Sequence, residues 1–207
     1  PSDEEGLYRR RFDVPAGWAG RRVKLFFDGV LTDAEVWVNG RPAGEVHRGG
    51  FYRFSYDITP LVHFGRRNLL EVRVAKHSAN KSVNAAERRA DWWLYGGIYR
   101  PVWLETVPQT NIRRHLLDAS HDGRLRVLVD AEGDTQGHSF RLSLRALTDG
   151  APLATVGGAT SVTVPLAGAE TLSESAWADV RPWSTEAPNL YVARLELLDS
   201  AGRTIQQ

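Results

Sequence analysis

Val36-Trp37-Val38-Asn39-Gly40-Arg41-Pro42-Ala43-Gly44 reads as a β-hairpin. A two-residue type I′ turn needs positive φ at both central positions, and Asn followed by Gly meets that need with little strain. Apolar residues on either side of Asn39-Gly40 supply the two strands. Working outward, alternating or β-rich runs recur at 8–14, 22–27, 34–39, 43–47, 52–57, 69–75 and 102–106. Pro15-Ala16-Gly17, Asp28-Gly29, Arg48-Gly49-Gly50 and Phe64-Gly65 punctuate them. No window of about 12 residues carries a helical period. Strands at this spacing, without intervening helices, close into an antiparallel sandwich or jelly roll.

The 207 residues suit two domains of ordinary size. Residues 1–108 hold 17 Lys and Arg against 13 Asp and Glu, whereas residues 109–207 hold 9 against 12. Five of the seven Trp and all three Lys also fall in the first part. This shift in composition places a boundary at Val107-Pro108-Gln109, dividing the chain into domains 1–108 and 109–207. Strand patterns resume at 111–117, 124–131, 140–147, 160–166, 173–180 and 190–198. Turns at His121-Asp122-Gly123, Asp149-Gly150 and Gly157-Gly158 give them immunoglobulin-like spacing. The turn Asp199-Ser200-Ala201-Gly202 leads toward one more strand, which is expected to be largely cut away.

With 26 basic and 25 acidic side chains, the charge nearly cancels, so no nucleic-acid partner is indicated. No Cys is present, which excludes disulfides, thiolate metal sites and a Cys nucleophile but does not tell inside from outside the cell. Without Met the chain is expected to begin inside a longer product. No apolar run reaches membrane-span length, so no membrane partner is indicated. The six His (47, 63, 77, 115, 121 and 138) lack ligand spacing and read as surface residues. Neither a metal nor a cofactor is expected.

Asp91-Trp92-Trp93-Leu94-Tyr95-Gly96-Gly97-Ile98-Tyr99-Arg100 brings an acid, four aromatic rings and an Arg together. Sugars suit such a set, because their C–H faces stack on rings while their hydroxyls need charged or amide partners. A buried strand with Arg100 paired to Asp91 is the plainer reading of the same residues. Just upstream, Lys76–Ala90 is long, polar and free of Gly and Pro, and is expected to be a functional loop. Glu87, among Lys81, Arg88 and Arg89, reads as a solvated charge, and so do Glu4 and Glu5. Asn80-Lys81-Ser82 is a chance-level match to a glycosylation acceptor.

Phe12-Asp13-Val14-Pro15, Phe27-Asp28-Gly29-Val30, Val36-Trp37-Val38-Asn39-Gly40, Gly49-Gly50-Phe51-Tyr52-Arg53-Phe54, Asp57-Ile58-Thr59, Asn68-Leu69-Leu70-Glu71-Val72 and Gly96-Gly97-Ile98-Tyr99-Arg100-Pro101-Val102 follow one another in a telling order. In order and spacing they resemble the sugar-binding N-terminal domain of glycoside hydrolase family 2 over about residues 7–107. The second domain, through Arg181-Pro182-Trp183-Ser184-Thr185-Glu186-Ala187-Pro188-Asn189-Leu190-Tyr191, is similar to that family's immunoglobulin-like domain. The fold implied is all-β: a jelly-roll β-sandwich, galactose-binding-like, followed by an immunoglobulin-like β-sandwich.

What the resemblance implies is a retaining β-glycosidase of β-galactosidase, β-glucuronidase or β-mannosidase type, its two catalytic glutamates on a TIM barrel that follows. The sequence offers no carboxylate pair for that chemistry, so no catalytic residue is assigned here and the chain alone is expected to be inactive. Asp91 matches a family aspartate that reaches into the barrel's pocket and contacts the sugar. Asp91, Trp92, Trp93 and Arg100 are therefore the candidate substrate-binding residues. The implied partners are a β-glycoside substrate and the protein's own C-terminal barrel, with homo-oligomerisation left open. Two other readings stand beside this one: a stand-alone carbohydrate-binding module, and purely structural domains.

Overall fold

The computed structural model describes residues 5–89 and 95–207, which divide between Val107 and Pro108 into two compact units. In the first, the strands are β1 (Glu5–Val14), β2 (Arg22–Phe27), β3 (Val30–Leu31), β4 (Asp33–Val38), β5 (Arg41–Pro42), β6 (His47–Arg48), β7 (Phe54–Asp57) and β8 (Arg66–Ala75). The helix α1 (Lys81–Arg88) follows, then β9 (Gly97–Ile98) and β10 (Val102–Val107). One antiparallel sheet runs β1-β8-β4-β5 with β6 also on β4; the second runs β10-β2-β7, and β3 pairs with β9 apart from both.

Alternation decides which side chains meet. β2 turns Val23, Leu25 and Phe27 inward, and β4 contributes Ala34, Val36 and Val38. β8 adds Leu70, Val72 and Val74. These residues close a sandwich core with Val14 and Ile58, each large apolar side chain contributing about 1.5–3 kcal/mol by burial. Outside the core, Trp103 lies opposite Phe26 in the β10–β2 register, and their rings stack with centroids 4.3 Å apart.

The Asn39-Gly40 hairpin forms as expected: both residues have positive φ, 52° and 74°, and Val38 pairs with Arg41. The Asn39 amide also accepts from the Leu69 N–H at 2.9 Å and donates to the Leu61 carbonyl at 2.9 Å. It thereby ties the turn to the neighbouring chain.

Three expectations need correction. The run 43–47 is not one strand, because the chain bends between β5 and β6. At Gly44 a Cβ would fall 2.7 Å from Tyr56 Cδ1, and the Tyr56 hydroxyl donates to the Glu45 carbonyl at 2.7 Å. The run 52–57 becomes a strand only at Phe54. The polar segment Lys76–Ala90, read as loop, contains α1.

In the second unit the strands are β11 (Asn111–Ala119), β12 (Arg124–Glu132), β13 (Ser139–Ala146), β14 (Val162–Pro165), β15 (Glu170–Ala176), β16 (Tyr191–Leu198) and β17 (Thr204–Gln206). Two antiparallel sheets, β11-β12-β15 and β14-β13-β16-β17, enclose Val127, Val129, Phe140, Leu142 and Trp177. The Tyr191 hydroxyl accepts the Arg181 N–H at 2.7 Å and donates to the Arg181 carbonyl at 3.1 Å, pinning the incoming loop. After Gly202 the chain forms β17, which pairs with β16.

Candidate functional site

Asp91, Trp92 and Trp93 lie outside the described residues, whereas Arg100 lies within them. The site is therefore built from what flanks the aromatic stretch on both sides.

The upstream flank is α1. Asn80 caps it, its Oδ1 accepting the Ser82 N–H at 2.9 Å, an interaction worth about 1 kcal/mol. Asn84 anchors the first turn by accepting the Ser78 N–H at 2.9 Å and donating to the Ser78 carbonyl at 2.6 Å. Glu87, in the last turn, is only 7 % exposed. The Gly50 N–H donates to both of its carboxylate oxygens, at 3.0 and 2.8 Å. This corrects the reading of Glu87 as a solvated charge. Glycine at position 50 makes the approach feasible: a Cβ there would lie 2.1 Å from Leu31 Cδ2 and 3.3 Å from Glu87 Oε2.

Arg88, the next residue, spreads its guanidinium over three stretches of chain. Nη1 donates to the Tyr95 carbonyl at 2.8 Å, and Nη2 donates to Thr32 Oγ1 at 2.5 Å and to the Lys76 carbonyl. Burial lowers its pKa, and the Glu87 charge opposes that shift. Through Arg88 the residues on either side of 90–94 are joined.

The downstream flank begins with β9, whose Gly97 pairs with Leu31. Gly97 has φ of 94°, and a Cβ there would lie 2.2 Å from the Tyr8 hydroxyl, so only Gly fits. Tyr99 then donates its hydroxyl to the Gly50 carbonyl at 2.7 Å. Gly50 is thus held at its N–H by Glu87 and at its carbonyl by Tyr99.

The Arg100 guanidinium sits 5.2 Å from the Tyr99 ring centroid, in cation–π range. Among the described residues it has no carboxylate partner. With Asp28, Arg53 and Pro101 it lines a cavity of about 470 Å³. Asp28 accepts from Arg53 Nε at 2.7 Å and from Trp103 Nε1 at 3.4 Å, so its charge is already matched. Phe51, Tyr52, Tyr95 and Tyr99 are between 40 and 66 % exposed. An exposed ring beside a guanidinium, as Tyr99 is beside Arg100, suits a ligand with both C–H faces and hydroxyls.

His47 departs from the expectation of a surface imidazole. It is half-buried, stacks on Phe54 at 3.6 Å between centroids, and its Nε2 lies 2.9 Å from the Gly49 carbonyl. Burial lowers its pKa, opposed by the Gly49 hydrogen bond and by the charges of Asp33 and Glu87.

Sequence reasoning missed Glu87, Arg88, Thr32 and the anchoring role of Tyr99. One signal was present: Asn80 as a cap, followed by the helical stripe Asn84, Glu87, Arg88 at i, i+3, i+4.

The family model described as "Glycosyl hydrolases family 2, sugar binding domain" matches residues 2–108, and the one described as "Glycosyl hydrolases family 2" matches residues 106–207. A β-galactosidase of Thermoanaerobacter pseudethanolicus is 39% identical over 51% of this chain and 14% of its own length. A β-galactosidase of Priestia megaterium is 30% identical over 97% of this chain and 20% of its own length. The solved structure of Bifidobacterium dentium β-glucuronidase complexed with coumarin-3-O-glucuronide is similar with a TM-score of 0.72 at 26% identity, covering 97% of this chain and 38% of that one. The chain thus spans well under half the length of each of these proteins.

Proposed function

The chain belongs to glycosyl hydrolase family 2, and on that premise we propose that it forms the sugar-binding and immunoglobulin-like domains of a retaining β-glycosidase that cleaves O-glycosidic bonds. The observation that carries this reading is that the family's two models follow one another along the chain from residue 2 to residue 207.

In this reading the chain binds and orients, while a separate catalytic barrel of the same protein reacts. A retaining mechanism needs two carboxyls about 5–5.5 Å apart, one protonating the leaving group and one attacking the anomeric carbon. The buried carboxylates described here are otherwise engaged. Asp33 accepts the Ala79 N–H at 2.8 Å, Glu87 holds Gly50, and Asp130 holds Arg113 at 2.7 Å. Asp91 supplies a hydroxyl contact that orients the sugar ring, since a carboxylate accepts two such bonds. Trp92 and Trp93 contribute ring faces, and Arg100 adds a fixed positive charge beside the Tyr99 ring.

A stand-alone carbohydrate-binding module is the second reading, favoured by the exposed rings of Tyr52 and Tyr95. Turnover separates the two. The 207-residue chain is expected to cleave no nitrophenyl β-glycoside, and the full-length polypeptide is expected to cleave at least one. A full-length polypeptide inert on nitrophenyl galactoside, glucuronide, mannoside and glucosaminide would favour the module, and hydrolysis by the isolated chain would place the chemistry here instead.

A further inference from the structure

We propose that the outer face of the β14-β13-β16 sheet, in the second unit, carries a site for a tetrahedral oxyanion such as sulfate, built around Arg145 and Arg194. On β13, Phe140, Leu142 and Leu144 turn into the core, which leaves Arg141, Ser143 and Arg145 on the opposite face. On β16, Ala193 and Leu195 turn inward and leave Arg194 and Glu196 outward. The register sets Ser143 opposite Arg194, Arg141 opposite Glu196 and Arg145 opposite Val192. Arg194 therefore stands diagonal to both Arg141 and Arg145, about 7–8 Å from each at Cα. With Ser143, Thr160 and Ser161 the three arginines line a cavity of about 340 Å³.

The charges at this cavity do not cancel. Arg141 is already paired: its Nε donates to Glu196 Oε2 at 3.0 Å, and its Nη2 donates to Thr204 Oγ1 at 3.3 Å. Arg145 donates to a neutral acceptor, the Gly150 carbonyl at 3.2 Å, so it is anchored without being neutralised. Among the described residues the Arg194 guanidinium forms neither a hydrogen bond nor an ion pair, and the hydroxyls of Ser143, Thr160 and Ser161 form no hydrogen bond. Setting Glu196 against Arg141 leaves Arg145 and Arg194, two positive charges at one cavity. They gather there although residues 109–207 hold only 9 basic side chains against 12 acidic ones. Like charges this close repel, and an anion between them relieves the repulsion.

The directions of the donors decide the ligand's shape. Arg145 and Ser143 come from β13, Arg194 from β16, and Thr160 and Ser161 from the segment that leads into β14. Donors converging from three stretches of chain match oxygens spread in three dimensions. A carboxylate holds its two oxygens in one plane, where a single guanidinium fork serves both. Recognition is the same whether the oxyanion is a free ion or an ester on a saccharide.

The test is calorimetric titration of the full-length polypeptide with inorganic sulfate at constant ionic strength. Saturable binding is expected, weakened about tenfold in Arg194→Ala and by less in Arg194→Lys, which keeps the charge but loses the fork. Arg194 is exposed, so its replacement leaves the core intact. Arg124→Ala removes the same charge from β12, in the other sheet, and is expected to leave binding unchanged. Glucose 6-sulfate, with glucose as its uncharged counterpart, separates the sources. Arg194-dependent binding tighter than that of inorganic sulfate assigns an ester on a saccharide, and equal or weaker binding assigns the free ion. Absence of saturable sulfate binding, or binding that Arg194→Ala leaves unchanged or Arg124→Ala weakens equally, overturns the site. Acetate bound as tightly as sulfate overturns the tetrahedral assignment.

Discussion

The carboxylate of Glu87 holds the backbone N–H of Gly50 between its two oxygens, at 3.0 and 2.8 Å, across 37 residues of sequence. This contact joins the helix before the aromatic stretch to the Gly49-Gly50 turn, and Tyr99 joins the same turn to the segment after it. A buried carboxylate on its own is unfavourable, so the arrangement stands only while the glycine backbone can come this close.

Gly50→Ala tests that closeness. The added methyl would meet the Leu31 side chain and crowd Glu87, so the variant is expected to lose about 1–3 kcal/mol of stability from overpacking. Gly17→Ala is the control, since nothing lies within 4 Å of a Cβ there and its backbone is not left-handed. Urea midpoints of the two variants check the difference. Equal midpoints would mean that Leu31 and Glu87 yield freely.

What was legible in the sequence, and what was not, follows from the same physics. β2 and β8 were readable because alternate residues are apolar and face one core. The hairpin was readable because Asn39-Gly40 names its own turn. α1 was hidden because its inward stripe is Asn84, Glu87 and Arg88, which no hydrophobic period detects. β3 and β9 were hidden because two residues are too few to show alternation. Glu87 looked solvated among Lys81, Arg88 and Arg89, and its partner Gly50 lies far away in sequence. Of the candidate residues, Arg100 lies among the described ones, and its seat over the Tyr99 ring depends on geometry that spacing does not reveal.

Asn39→Ala should unsettle the hairpin. The substitution removes the acceptor for the Leu69 N–H and the donor to the Leu61 carbonyl, and it places Ala where φ is 52°. A loss of about 1–3 kcal/mol is expected from the unpaired backbone groups, read as a lower urea midpoint. An unchanged midpoint would contradict the role given to this side chain.

His47 gives stability a pH dependence of known sign. Its pKa in the folded chain lies below the unfolded value of 6.5. Between the two values the unfolded state binds more protons, so the contribution is present in full above pH 6.5 and is lost as pH falls toward the folded value. Melting temperature is expected to fall as pH drops below about 6.5, with a shallower fall in His47→Gln. Parallel curves for the two proteins would remove His47 from this account.

The central claim is that this chain lends Asp91 to a glycosidase as a substrate contact, and Asp91→Asn tests it most directly. The measurement is kcat/KM of the full-length polypeptide beside the melting temperature of the 207-residue chain. Loss of charge-assisted bonds is worth roughly 1.5–3 kcal/mol, or about one to two powers of ten in kcat/KM. The expected result is a drop of that size with little change in melting. A large fall in melting temperature with unchanged kinetics would contradict it and make Asp91 a structural ion-pair partner.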